Sequence, residues 1–311
     1  MLKSLKRLRP GRHSPREVAW DDRYLPERLC KVPSMLTFSE RALLYSLGRG
    51  LAPGAAIVDA GCFLGGSTVS FALGVSEQLL QPRPVIHSYD LFLVDHSAST
   101  HYAALIGDRP IGSDLRPVFE QVVGADLLPY VEVHGGDLTS HRWSGEPIDV
   151  LFVDVAKTWE LNDHVMHEFF PALVPGRSVV VQQDYVHEWL PWIHITMQLL
   201  DSCFERIEVI QGSPSVVYGC TRQVKSSQLP EHLRDLPERR LEELFDQAVA
   251  PYGGDERAII ECARAVMLAE FYGGDRAVAH LDDLAARTQA PTVRFQIVLG
   301  QVRDWAADLP S

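Results

Sequence analysis

Residues 57–68 read IVDAGCFLGGST: an apolar, β-branched start, an acid at Asp59, glycines at 61, 65 and 66, then Ser67 and Thr68. A buried strand that runs into a glycine turn and then a helix is how a parallel α/β sheet presents a ligand site, outside the strand's carboxyl end. Glycine allows a tight turn and leaves no Cβ in a ligand's way. Ser67 and Thr68 would open the helix, whose first N–H groups have no partner within it. The spacing Gly-x-x-x-Gly-Gly is neither the GxGxxG of dinucleotide folds nor the GK[ST] ending of a phosphate-binding loop. Asp59 would repel a pyrophosphate and attract an ammonium or sulfonium.

Further strand candidates lie on either side: AAIVDA (55–60), PVIHSYD (84–90), YVEVHGGD (130–137), IDVLFVD (148–154) and RSVVVQQD (177–184). They are short and almost continuously apolar, as strands covered on both faces should be. Helical patterns fall between them at 65–80, 113–123, 159–173 and 190–204. This alternation predicts a doubly wound, mostly parallel sheet. FERIEVIQ (204–211) and SVVYGCTRQV (215–224) are separated only by Gly212, Ser213 and Pro214. No parallel crossover fits there, so strands six and seven should form an antiparallel hairpin. Beyond Val224 the pattern is purely helical. The expected organisation is an arm over 1–33, an α/β domain over 34–224, and a helical lobe over 225–311 that caps the site or mediates assembly, for instance as a homodimer.

Composition narrows the function. The net charge of −12 opposes nucleic-acid binding. Residues 1–31 carry nine Lys or Arg against four Asp or Glu, which reads as a solvated arm. No apolar run reaches the ~20 residues of a membrane span, and MLKSLKRLRPGRH lacks a secretory pattern. Five cysteines without CxxC spacing fit a reducing, cytoplasmic setting.

Three successive strands end on acids. Asp59 ends the first, Asp90 the second, suited to ribose hydroxyls, and Asp137 the third, suited to an adenine amino group. With VDAGCFLGGST, HSYDLF, HGGDL and DVLFVD in place, residues 34–224 resemble the class I S-adenosylmethionine-dependent methyltransferases. PSMLTFSERALLYSLGR (33–49) resembles the helix that precedes the first strand in small-molecule O-methyltransferases. The resemblance implies a Rossmann-like seven-stranded sheet and S-adenosyl-L-methionine bound by Asp59, Gly61, Phe63, Gly65, Ser67, Thr68, Asp90, Leu91, Asp137 and Asp154. The glycines would make room for the cofactor, and Asp59 would face its positive end.

The macrocin-type and catechol-type O-methyltransferases hold a divalent metal with an acid after strand four and an acid pair after strand five. VDVAKTW supplies Asp154, with Lys157 where catechol-type enzymes carry a catalytic lysine. VVVQQDY has Gln182 and Gln183 where the acid pair would fall, and a one-residue shift recovers Asp184. Two carboxylates make a weak site for magnesium, so weak or absent metal dependence is expected. Asp154 and Asp184 would be the ligands, and Lys157 would otherwise serve as base if burial lowers its pKa. His187 is a further candidate in the acceptor pocket. His164, His167 and Glu168 (HVMHE) are not in zinc-protease order and read as helix-face residues. The implied reaction is methyl transfer to a hydroxyl of a small molecule or glycosyl unit, as in natural-product or glycan biosynthesis. The rival readings are a nicotinamide-dependent oxidoreductase and a catalytically inactive binding subunit of the same fold.

Overall fold

The computed structural model describes residues 25–288 and 291–309. Most of the basic arm therefore lies outside the described residues. Its last part is helix α1 (Glu27–Lys31), docked on the body. Leu29 is fully buried, and Arg28 pairs with Asp126 at 2.8 Å and donates to the Val122 carbonyl at 3.0 Å.

Helix α2 (Phe38–Arg49) follows, opened by a reciprocal cap. Thr37 Oγ1 accepts from the Glu40 N–H at 3.2 Å, and the Glu40 carboxylate accepts from the Thr37 N–H at 2.7 Å. Then come β1 (Ala56–Ala60), α3 (Gly66–Ser76), β2 (Val85–Asp90), α4 (His96–His101), α5 (Ala103–Ile106), α6 (Arg116–Val123) and β3 (Val131–Gly135). The second half runs β4 (Val150–Val153), α7 (Trp159–Glu168), β5 (Val179–Gln182), α8 (Pro191–Leu199), β6 (Phe204–Val209) and β7 (Val216–Cys220). The strands form one sheet in the order β3-β2-β1-β4-β5-β7-β6. All neighbours are parallel except β7, which is antiparallel to both β5 and β6. The fold is thus the doubly wound, mostly parallel seven-stranded sheet expected from the alternation.

Alternate residues along each strand feed opposite faces. Ile57, Phe152, Val181 and Val217 pack with Phe71 of α3 and Phe119 of α6. Val58, Leu151, Val180 and Tyr218 face α7 and α8. At the far edge, β6 exposes Glu205 and Arg206, and its register with β7 breaks between Arg206 and Glu208.

Four helices complete the chain: α9 (Glu238–Val249), α10 (Gly254–Tyr272), α11 (Gly274–Arg287) and α12 (Val293–Ala307). They do not build a core of their own. Leu241, Leu244 and Phe245 of α9 and Ile259, Ile260 and Ala263 of α10 belong to the same apolar cluster as Val58 and Leu151 of the sheet. The change of composition at residue 225 marks a change of secondary structure, not of hydrophobic core. Among the described residues no helix is long and apolar enough to cross a membrane.

Candidate active site

The turn after β1 is tied to β2, because Gly61 N–H (2.9 Å) and Cys62 N–H (3.1 Å) both donate to the Tyr89 carbonyl. Gly61 has φ +96°, and a Cβ there would lie 2.7 Å from the Asp154 carbonyl. A Cβ on Gly66 would overlap Ser34, and one on Gly65 would meet Phe119 at 3.2 Å. These glycines serve the packing of the chain itself. Their missing side chains let β1's turn press against β4, α6 and the segment before α2.

Asp59, expected to face the positive end of a cofactor, is turned inward instead. It is wholly buried, and its Oδ2 accepts from Ser67 Oγ (3.0 Å) and Thr68 Oγ1 (2.5 Å), while Oδ1 has no partner. Instead of facing an open crevice, it pins α3 to β1. Burial raises its pKa to about 7, against the hydrogen bonds from Thr68 and Ser67. A carboxyl whose folded pKa lies above its ordinary value of 3.8 stabilises the fold at low pH and loses that contribution as pH rises through about 7. Asp59→Asn should therefore gain on the wild type by about 2–3 kcal/mol between pH 5 and 8, at ~1.4 kcal/mol per unit. Parallel urea stabilities for the two proteins at both pH values would contradict this.

Asp90 is held at the carboxyl end of β2. Its Oδ2 accepts the Phe63 N–H and its Oδ1 the Phe92 N–H, each at 2.8 Å. Both phenylalanines have left-handed backbones, with φ of 46° and 51°. Such conformations cost bulky residues on the order of 1–2 kcal/mol and persist where surroundings enforce them. Burial raises the Asp90 pKa, and these N–H groups hold it back. Leu91, between the anchors, is 54% exposed, and Phe63 is half-buried. Asp137, after β3, is exposed and accepts from Thr139 N–H (2.9 Å) and Oγ1 (2.8 Å), which lower its pKa.

At the ends of β4 and β5 a second group assembles. Lys157 Nζ donates to Asp154 Oδ1 at 2.8 Å and also to Asp184 Oδ2. With its amide oriented to satisfy this network, Gln183 donates to Asp154 Oδ1 (3.0 Å) and Asp184 Oδ1 (2.6 Å). Gln182, by contrast, is buried and turned toward Met197 Sδ at 3.5 Å. Asp184, just beyond β5, is thus joined to Asp154 through Lys157 and Gln183. The bridging role of Gln183 is invisible in the sequence, where it only marks a missing acid.

The electrostatics overturn one expectation. Burial acts to lower the Lys157 pKa, but Asp154 and Asp184 together outweigh it and the net direction is up. Lys157 is an ammonium at neutral pH, not a free-amine base. Burial raises Asp154 to about 7, opposed by Lys157 and assisted by Asp184. This donor set does not suit magnesium as it stands. A hard cation needs about six oxygen ligands, whereas here an ammonium already bridges the only two carboxylates of the cluster.

The remaining candidates have hydrogen-bond partners of their own. His187 Nδ1 accepts from the Trp189 N–H at 3.2 Å and lies 3.8 Å from Glu188. His167 lies 3.0 Å from the Pro230 carbonyl, and Glu168 accepts from the Trp143 N–H at 2.9 Å. His164 is half-buried beside them, and burial lowers its pKa. The HVMHE segment therefore ties α7 to neighbouring loops.

No family model matches the chain, and no curated protein matches it. Among solved structures, the calicheamicin methyltransferase CalS11 is similar over 58% of this chain and 77% of its own, at 18% identity and TM-score 0.43. An O-methyltransferase from Bacillus cereus in complex with SAH matches over 65% and 94%, at 16% identity and TM-score 0.43. Cofactor-bound Rv0187 from MTB matches over 62% and 85%, at 15% identity and TM-score 0.42. Likenesses this distant carry no information on substrate or chemistry here.

Proposed function

We propose that the chain is an S-adenosylmethionine-dependent methyltransferase acting on a hydroxyl of a small molecule or sugar. The observation that carries this reading is Asp90. A carboxylate offers about four acceptor positions, and two backbone N–H groups take one on each oxygen. The others remain for the paired hydroxyls of a ribose, beside the apolar Leu91 and Phe63. This set fits the nucleoside end of the cofactor. Bound there, the cofactor supplies a sulfonium methyl for in-line displacement.

The chain then has only to align the acceptor and take its proton. In this reading the Lys157 ammonium stabilises the developing oxyanion, the part a metal plays in catechol-type enzymes. Asp154 in its ionised form accepts the proton, and Asp184 and Gln183 hold Lys157 and Asp154 in register. The five free cysteines, four of them buried, support a cytoplasmic location.

Calorimetry tests the cofactor half. Charge-assisted hydrogen bonds are worth roughly 1.5–3 kcal/mol each. Asp90→Ala should therefore weaken adenosylmethionine binding at least about tenfold with the circular dichroism spectrum retained. An unchanged dissociation constant would remove the assignment, and binding of NAD in place of adenosylmethionine would favour an oxidoreductase.

A further inference from the structure

A separate constellation sits on the faces of β2 and β3, away from the strand ends. The parallel register sets His87 opposite Glu132 and Tyr89 opposite His134. His87 Nδ1 lies 3.2 Å from His134 Nε2 and 3.2 Å from Glu132 Oε2, and His134 Nε2 lies 3.9 Å from the same oxygen. We propose that His87, Glu132 and His134 bind one divalent transition-metal ion of the zinc type, fastening the edge strand β3 to β2.

Four-coordinate zinc with bonds near 2.0–2.1 Å sets its ligand atoms about 3.3–3.4 Å apart. Two of the three separations are already close to that spacing. The third closes if Glu132 rotates, and its side chain is 61% exposed and free to do so. The imidazoles are 18% and 27% exposed and their orientations are fixed by packing. His134 stacks on Tyr89 at 4.3 Å and 13°, and His87 meets the edge of Trp143 at 4.9 Å and 86°.

Burial lowers both histidine pKa values, for His134 with help from His87. Neutral rings offer the lone pairs that a metal needs. Two imidazoles and one carboxylate suit zinc, nickel or copper better than magnesium or calcium, which prefer oxygen alone. A water molecule would complete the fourth position. This site is independent of the methyltransferase reading and uses none of its residues.

The test is titration of the chelator-treated full chain with zinc chloride, by calorimetry and by competition with a chromophoric chelator. One equivalent should bind, raise the thermal midpoint and persist in His187→Ala. His134→Phe keeps a ring on Tyr89 and removes the ligand nitrogen. It should weaken zinc binding by roughly 100-fold or more, since losing even an outer-shell partner costs 10–100-fold, and abolish the thermal shift. Glu132→Gln, at an exposed position that should not disturb folding, should weaken binding about tenfold or more by the same scale. Absence of stoichiometric binding in the wild type, or wild-type affinity in both variants, would overturn the proposal.

Discussion

Lys157→Met should lower turnover by about 100-fold or more, the scale of a positioned group acting in proton transfer or charge stabilisation. Adenosylmethionine affinity should not change, because Asp90 stands at the end of β2, with β1 between it and β4. The variant leaves Asp154 and Asp184 without the ammonium that bridges them. Lys157 opposes the burial that raises Asp154 to about 7. Its removal should therefore push Asp154 higher still, and the rising limb of the pH–rate profile should move toward alkaline pH. Residual turnover with an unshifted profile would show that Lys157 is only a structural brace. If a chelator abolishes wild-type activity and magnesium restores it, Asp154 and Asp184 become metal ligands and the ammonium reading fails.

Truncation after Val224 should abolish soluble folded protein, not merely trim a cap. Leu241, Leu244, Phe245, Ile259 and Ile260 are each at most 1% exposed within the cluster that includes the sheet. Each such side chain contributes roughly 1.5–3 kcal/mol on burial, so losing these five is comparable to the whole ~5–15 kcal/mol stability of a typical domain. The link also reaches the site. Trp159 Nε1 donates to Glu270 of α10 at 2.7 Å and its ring packs on Phe271, two residues beyond Lys157. A monodisperse, cooperatively melting fragment of residues 1–224 would refute this expectation.

Much of the fold was legible because it rests on local patterning. Val179–Gln182 is buried along its length, as the apolar run of Val179, Val180 and Val181 implies. Gly212–Pro214 is too short for a crossover, which decided the direction of β7. Helix α4 was missed because HSASTH has little apolar periodicity and depends on a cap, Asp95 Oδ1 accepting from the Ala98 N–H at 2.7 Å. Helix α3 stops at Ser76, short of the expected residue 80. Glu77 turns aside to pair with Arg49 at 3.1 Å, and Leu79 is left 98% exposed.

The site was legible only in part, and the boundary is physical. Strand ends can be located from sequence, so Asp90, Asp154 and Asp184 could be named. Protonation depends on neighbours remote in the chain. Lys157 resembled a candidate base until Asp184, 27 residues later, was seen to face it. The His87–His134 pair spans 47 residues and emerges only once the β2–β3 register is fixed.

The irregular outer strand of the hairpin has a consequence for self-association. An unpaired strand invites a foreign one to dock along its free amides and carbonyls, the route to runaway polymerisation. Here β6 presents Glu205 and Arg206 to solvent, and the slip between Arg206 and Glu208 bends the ladder out of line. Both features repel an incoming ribbon, so the hairpin that ends the sheet also guards this margin against runaway docking.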